Sequence, residues 1–123
     1  MIRATWTGVA VSDNDRLAKG KQGRMFANKE YTAFKDGMAW AIRPRLIPYE
    51  DMPDGCIRGR VSVTLRVDLP PRMDTSAIIK AACDAIELSG AVKNDNQIDR
   101  LLVERVGRSP RGESKIDFEI DSM

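Results

Sequence analysis

Residues 58–69, Arg58-Gly59-Arg60-Val61-Ser62-Val63-Thr64-Leu65-Arg66-Val67-Asp68-Leu69, alternate apolar and polar side chains. Val61, Val63, Leu65 and Val67 fall on one side, and Arg60, Ser62, Thr64, Arg66 and Asp68 on the other. A period of two belongs to an extended chain, so the stretch predicts a strand with one buried face. Pro70-Pro71 ends it, because proline brings no amide hydrogen to a ladder. Asp74, Thr75 or Ser76 can cap a following helix, which the stripe Ile78, Ala82, Ala85 and Ile86 carries to about Ser89. Gly90 stands where a left-handed helix end belongs. Beyond it, Asn94-Asp95-Asn96 predicts a turn and Ile98 to Val106 a strand. Gly107 to Glu113 reads as a Gly/Pro turn carrying Arg108 and Arg111. Lys115 to Asp121 closes the chain as a strand, with Ile116, Phe118 and Ile120 inward.

Toward the N-terminus, residues 44–56 hold Pro44, Pro48, Pro53 and Gly55 and predict an irregular connection. Before them, Asn28 can cap a helix from Lys29 to about Ile42, with Tyr31, Phe34, Met38 and Ala41 on one face and Pro44 as its stop. Arg16 to Lys29 reads as a flexible basic loop containing Gly20 and Gly23. Ser12 to Asp15 is turn material, and residues 2–11 predict a strand. The order is β-α-β-α-β-β: an α+β fold with two main helices and one small domain over residues 1–123. Trp6, Trp40 and Cys83 are assigned to the core, while Phe26 and Tyr31, beside the basic loop, suit core packing or stacking on bases.

Composition narrows the chemistry. The chain has 123 residues, 42% apolar and 31% charged, which is a globular balance. There is no histidine, so Ser-His-Asp catalysis, Cys-His catalysis and His-ligated zinc are excluded. Two cysteines, Cys56 and Cys83, with no imidazole cannot build a four-thiolate or a mixed thiolate–imidazole zinc site in one chain, and a disulfide framework is not expected. No apolar run approaches the ~20 residues a membrane helix needs, and the N-terminus lacks a signal-peptide layout, so a soluble cytoplasmic protein is expected. The net charge of +2 hides an asymmetry: residues 1–73 carry 13 basic and 8 acidic side chains, residues 74–123 carry 7 and 10. Arg16, Lys19, Lys21, Arg24 and Lys29 contain no acid between them. Such a run either follows a phosphate backbone or is simply solvated.

Without histidine, phosphodiester hydrolysis must rest on carboxylates, lysine and metal ions. Asp74 lies at the start of the second helix and Asp95 in the turn after it. The helix spans about 20 Å. The two acids therefore meet only if Asp95 returns beside the helix start or a second subunit supplies one of them. Ser76, Lys80 and Asp84 recur every four residues and share a helical face, which equally describes a solvated stripe.

The run Arg72 to Ile86, then Ser89-Gly90, then Asn94-Asp95-Asn96-Gln97-Ile98, resembles the RusA family of Holliday-junction resolvases, widespread in phages and prophages. The family pattern is Asp-x-Asp-Asn, a Lys four residues after the second Asp, an Asp-Ala-Leu-like helix segment and an Asp-Asp-x-Gln turn. Ser12-Asp13-Asn14, the basic stretch with its helix, and the final hairpin fit as well. The resemblance implies a RusA-like fold with a mixed sheet. It also implies a homodimer that binds four-way DNA junctions and cuts them with Mg²⁺, or with Mn²⁺ in its place, in DNA recombination and repair. Asp74 then corresponds to the first metal-binding acid, Asp95 to the later one and Lys80 to the essential lysine. Arg16, Lys19, Lys21, Arg24 and Lys29, with Arg108 and Arg111, would lie along DNA. The chain departs from the pattern at Ser76, Ala77 and Asn94. Serine is a weak neutral ligand, so either another acid, Asp68 or Asp84, compensates, or the protein binds junctions with weakened or absent cleavage.

Overall fold

The computed structural model describes residues 1–19, 25–46, 56–109 and 113–123. Strands β1 (Ile2–Gly8), β4 (Val61–Asp68), β5 (Ile98–Gly107) and β6 (Ser114–Ser122) form one mixed sheet in the order β1-β6-β4-β5. β6 runs antiparallel to both β1 and β4, and β5 runs parallel to β4. Helix α1 (Lys29–Ile42) precedes β4, and α2 (Ile79–Ser89) crosses from β4 to β5, as a parallel pair requires. The expected α+β architecture is present. One addition lies inside the stretch read as a flexible basic loop: β2 (Leu17–Lys19) and β3 (Met25–Ala27) pair antiparallel as a small hairpin. The turn between them, with Lys21 and Arg24, lies outside the described residues, as does Arg111.

Alternation decides which sheet face is buried. Val61, Val63, Leu65, Val67, Ile116, Phe118 and Ile120 are all buried, with Ile2, Ala4 and Trp6 beside them. Both helices supply the other half of the core, α1 through Tyr31, Phe34, Met38 and Ile42, and α2 through Ala81, Ala82, Ala85 and Ile86. The Val, Leu, Ile, Phe and Met side chains among them stabilise by about 1.5–3 kcal/mol each when fully buried. The helix ends follow the sequence. Asn28 Oδ1 accepts from the Glu30 and Tyr31 amides, and Gly90 takes φ +90° after α2.

Trp6 packs on Phe34 with ring centroids 4.8 Å apart. Its indole also fills the space beside Gly37, where a Cβ would lie 2.9 Å from Nε1. Trp40 does not join the core as expected. It is 67% exposed, with the Arg43 guanidinium 5.6 Å from its ring centre. Its position explains this, since Tyr31, Phe34, Met38 and Ile42 define the buried side of α1 and residue 40 points away from it. Cys83 is only partly buried. No helix among the described residues is long and apolar enough to cross a membrane.

Candidate active site

Asp74 follows β4 through the turn that begins at Pro70, where the Met73 amide donates to the Pro70 carbonyl. It occupies the cap position of a short 3-10 turn, Thr75–Ile78, that leads into α2. Its side chain makes no capping bond, so the expected cap is present in backbone geometry only. Asp74 is exposed, beside a hollow it shares with Ser12, Asn14, Arg72 and Ala77. Ser76, at the second acid position of the motif, is also exposed.

The capping of α2 comes from much earlier in the chain. Asp13, in the 3-10 turn Asp13–Asp15, accepts from the Lys80 amide at 2.9 Å and the Ala81 amide at 3.1 Å. Its Oδ1 also accepts from the Tyr31 hydroxyl at 3.0 Å. One carboxylate thus ties the turn after β1 to both helices, and its charge sits at the positive end of α2. Burial, followed by the hydrogen bond to Asp13, pushes the Tyr31 phenol above its ordinary range, so the hydroxyl keeps the proton it donates. The sequence shows Asp13 only as turn material, because its partners lie 67 and 68 positions away.

Lys80 projects from the exposed flank of α2, with Nζ 3.7 Å from Asp84 Oδ2. The next turn of this flank carries Glu87, whose Oε1 accepts from the Asp95 amide at 3.0 Å. Asp95 opens a 3-10 turn, Asp95–Gln97, with a capping box formed by Asn94 and Gln97. Gln97 fixes that turn. Its Oε1 accepts from the Lys93 and Asn94 amides, while Nε2 donates to the Ile57 and Gly59 carbonyls at 2.9 and 2.8 Å. Cys83 registers the charge along the flank. Its thiol is pushed up to about 11, first by burial and then by Asp95, Asp84 and Asp13, with Lys80 opposing. The structure therefore brings Lys80, Asp84, Asp95 and Asp13 to one side of α2.

Asp74 lies beside the Asp13 turn, sharing a hollow with Ser12 and Asn14, but at the opposite end of α2 from Asp95. Asp95 leads into the end of β5 that pairs with Val61, whereas Asp74 lies beyond Asp68, at the far end of β4. Eight residues of strand separate those ends by roughly 25 Å. Among the described residues, no three His, Cys, Asp or Glu side chains are placed to hold a metal ion together. The carboxylates offer the hard oxygens that Mg²⁺ prefers, but among the described residues no three of them come together.

Asp68, named above as a compensating acid, stands at the Asp74 end. Its carboxylate packs against Gly107, where a Cβ would lie 2.9 Å from Cγ. Asp68 Oδ1 and Ser109 Oγ are both buried without a hydrogen-bond partner among the described residues. Of the basic residues, Arg16 is exposed, with Nη1 3.2 Å from the Asp13 carbonyl. Lys19 ends β2, and Lys29 opens α1 on its exposed side. Arg108 is exposed just after β5.

A family model described as endodeoxyribonuclease RusA matches residues 8–117 of the chain. No curated protein matches it.

Proposed function

The chain belongs to the RusA family of endodeoxyribonucleases, which act on Holliday junctions, and from that premise we propose that it is a homodimeric, Mg²⁺-dependent junction nuclease whose active site is completed across two subunits. The separation of Asp74 from Asp95 within one protomer carries the second half of this reading. The candidate ligands are Asp74 of one protomer and Asp95 of the partner subunit, with Mn²⁺ as an alternative to Mg²⁺. When bound, such a cation activates water and offsets charge on the scissile phosphate.

The chain's own residues prepare that site. Asp74 has no capping bond to hold its carboxylate. Gln97 and Glu87 fix the backbone that carries Asp95. Lys80 offers an exposed ammonium whose nearest acid, Asp84, is 3.7 Å away. That is a weak exposed pair, which a phosphate oxygen can displace. Arg16, Lys19, Lys21, Arg24 and Lys29 are proposed to follow the phosphate backbone of the junction arms.

The test is cleavage of a mobile four-way junction with Mg²⁺. Wild type is expected to nick it, and Asp95→Asn to bind with similar affinity but lose at least about 10²-fold in rate. Undiminished cutting by Asp95→Asn removes that residue from the mechanism. Ser76 supports a second reading, a junction-binding protein with weakened catalysis. Cleavage that appears only after Ser76→Asp favours it.

A further inference from the structure

Arg105 stands near the end of β5, opposite Val67 of β4, and is partly buried where its neighbours Glu104 and Val106 are exposed. Its Nη1 donates to the Leu69 carbonyl at 3.2 Å, and its Nη2 donates to the Met73 carbonyl. These two carbonyls bracket the turn Pro70-Pro71-Arg72, which leads from β4 to Asp74. We propose that Arg105 is a positioning residue for Asp74: its guanidinium fixes the turn that carries the carboxylate, and so fixes where the carboxylate meets a divalent cation. This rests on the reading of Asp74 as a metal-binding acid given above.

The turn needs a donor from outside itself. Pro70 and Pro71 have no amide hydrogen, and the Met73 amide is committed to the Pro70 carbonyl at 3.0 Å. Leu69 is fully buried, so water does not reach its carbonyl, and leaving that oxygen unpaired is costly. Arg105 supplies both bonds from one planar group whose amino nitrogens are held at a fixed spacing.

The bond to Met73 acts on the peptide unit that joins Met73 to Asp74. On its other side Asp74 is held through its own carbonyl, which accepts from the Ala77 amide at 3.0 Å. The Asp74 side chain makes no capping bond. Backbone geometry therefore sets the place of the carboxylate, and Arg105 grips that backbone directly ahead of it. Lysine is no equivalent. Its ammonium is a single point of charge on a flexible stem, so Arg105→Lys keeps the charge and loses the fork.

The experiment measures Mn²⁺ affinity in the full chain without DNA, through the loss of the free-ion electron paramagnetic resonance signal. Wild type, Arg105→Lys, Asp74→Asn and the double variant form a thermodynamic cycle. Arg105→Lys is expected to bind Mn²⁺ about tenfold or more weakly than wild type. In the Asp74→Asn background the same change should alter affinity by less than about twofold, because the carboxylate it positions is gone. An equal loss in both backgrounds assigns Arg105 a general structural role and overturns the proposal, as does Arg105→Lys binding like wild type. Asp74→Asn binding like wild type removes Asp74 as a ligand and the proposal with it. Should Arg105→Lys fail to fold, Arg105→Gln, which keeps one amide donor, takes its place in the cycle and is read the same way. Junction cleavage separates this outcome from the fate of the nuclease reading. A wild type that cuts, with no coupling between Arg105 and Asp74, sinks the positioning role alone. The expected coupling, with no cutting by wild type, leaves that role standing and removes the nuclease.

Discussion

Asp13 is the residue on which most local order converges. It accepts from one hydroxyl and two amides, drawn from both helices. Asp13→Ala removes a helix cap and leaves the Tyr31 hydroxyl unpaired. The expected loss is about 2 kcal/mol in urea unfolding, and about 1 kcal/mol for Tyr31→Phe, which spares the cap. Cys83 makes a prediction of opposite character. With its thiol near 11, little thiolate exists at pH 8, and alkylation should run about tenfold or more slower than for an unfolded cysteine. The linkage has a definite sign. Between pH 9 and 11 the folded thiol keeps a proton that the unfolded chain has lost, so stability falls as pH rises through that window. Cys83→Ser should flatten the alkaline limb of a stability–pH curve. Trp40 shows how the sequence misleads at this scale: residue type argued for the core, whereas its place around the helix argued against it.

Among the elements, α1 was legible because three local signals agree: the Asn28 cap, the apolar stripe and Pro44 beyond the end. β4 was legible from its alternation, although its paired length stops at Val61 and Asp68. The β2–β3 hairpin was not, because strands of three residues carry too little pattern to rise above a glycine-containing basic stretch. The start of α2 was legible in its backbone geometry but not in what caps its amides. Its amides are satisfied by a residue brought in through tertiary folding, while Asp74 caps nothing with its side chain. The turn holding Asp95 looked like any Asn/Asp turn, yet Gln97 binds it to residues 57 and 59. Gln97→Ala should cost about 1–2 kcal/mol and speed hydrogen exchange at the Lys93 and Asn94 amides, which lose their acceptor.

For the whole molecule, the candidate acids were legible as motif positions, but their separation was not. It depends on β5 lying parallel to β4, a pairing between strands more than thirty residues apart. A site shared by two subunits has a kinetic signature. Asp74→Asn and Asp95→Asn should each be inactive alone, yet their mixture should regain nicking. Heterodimers then hold one intact site and one doubly altered site. With random exchange, about half the dimers are mixed, so about a quarter of the wild-type sites return. No recovery in dimers shown to have exchanged places both acids in one chain.

The close approach of α1 to the sheet has a consequence for everything α1 carries. Glycine in a helix interior costs about 1 kcal/mol relative to alanine, and Gly37 accepts that cost in front of the Trp6 indole. The missing methyl works as a clearance. Any larger residue there would act as a wedge, prising the helix outward from its middle and shifting the Tyr31 end away from the turn it grips. The gauge of the molecule, from its first strand to the basic hairpin, is set by an atom that is not there.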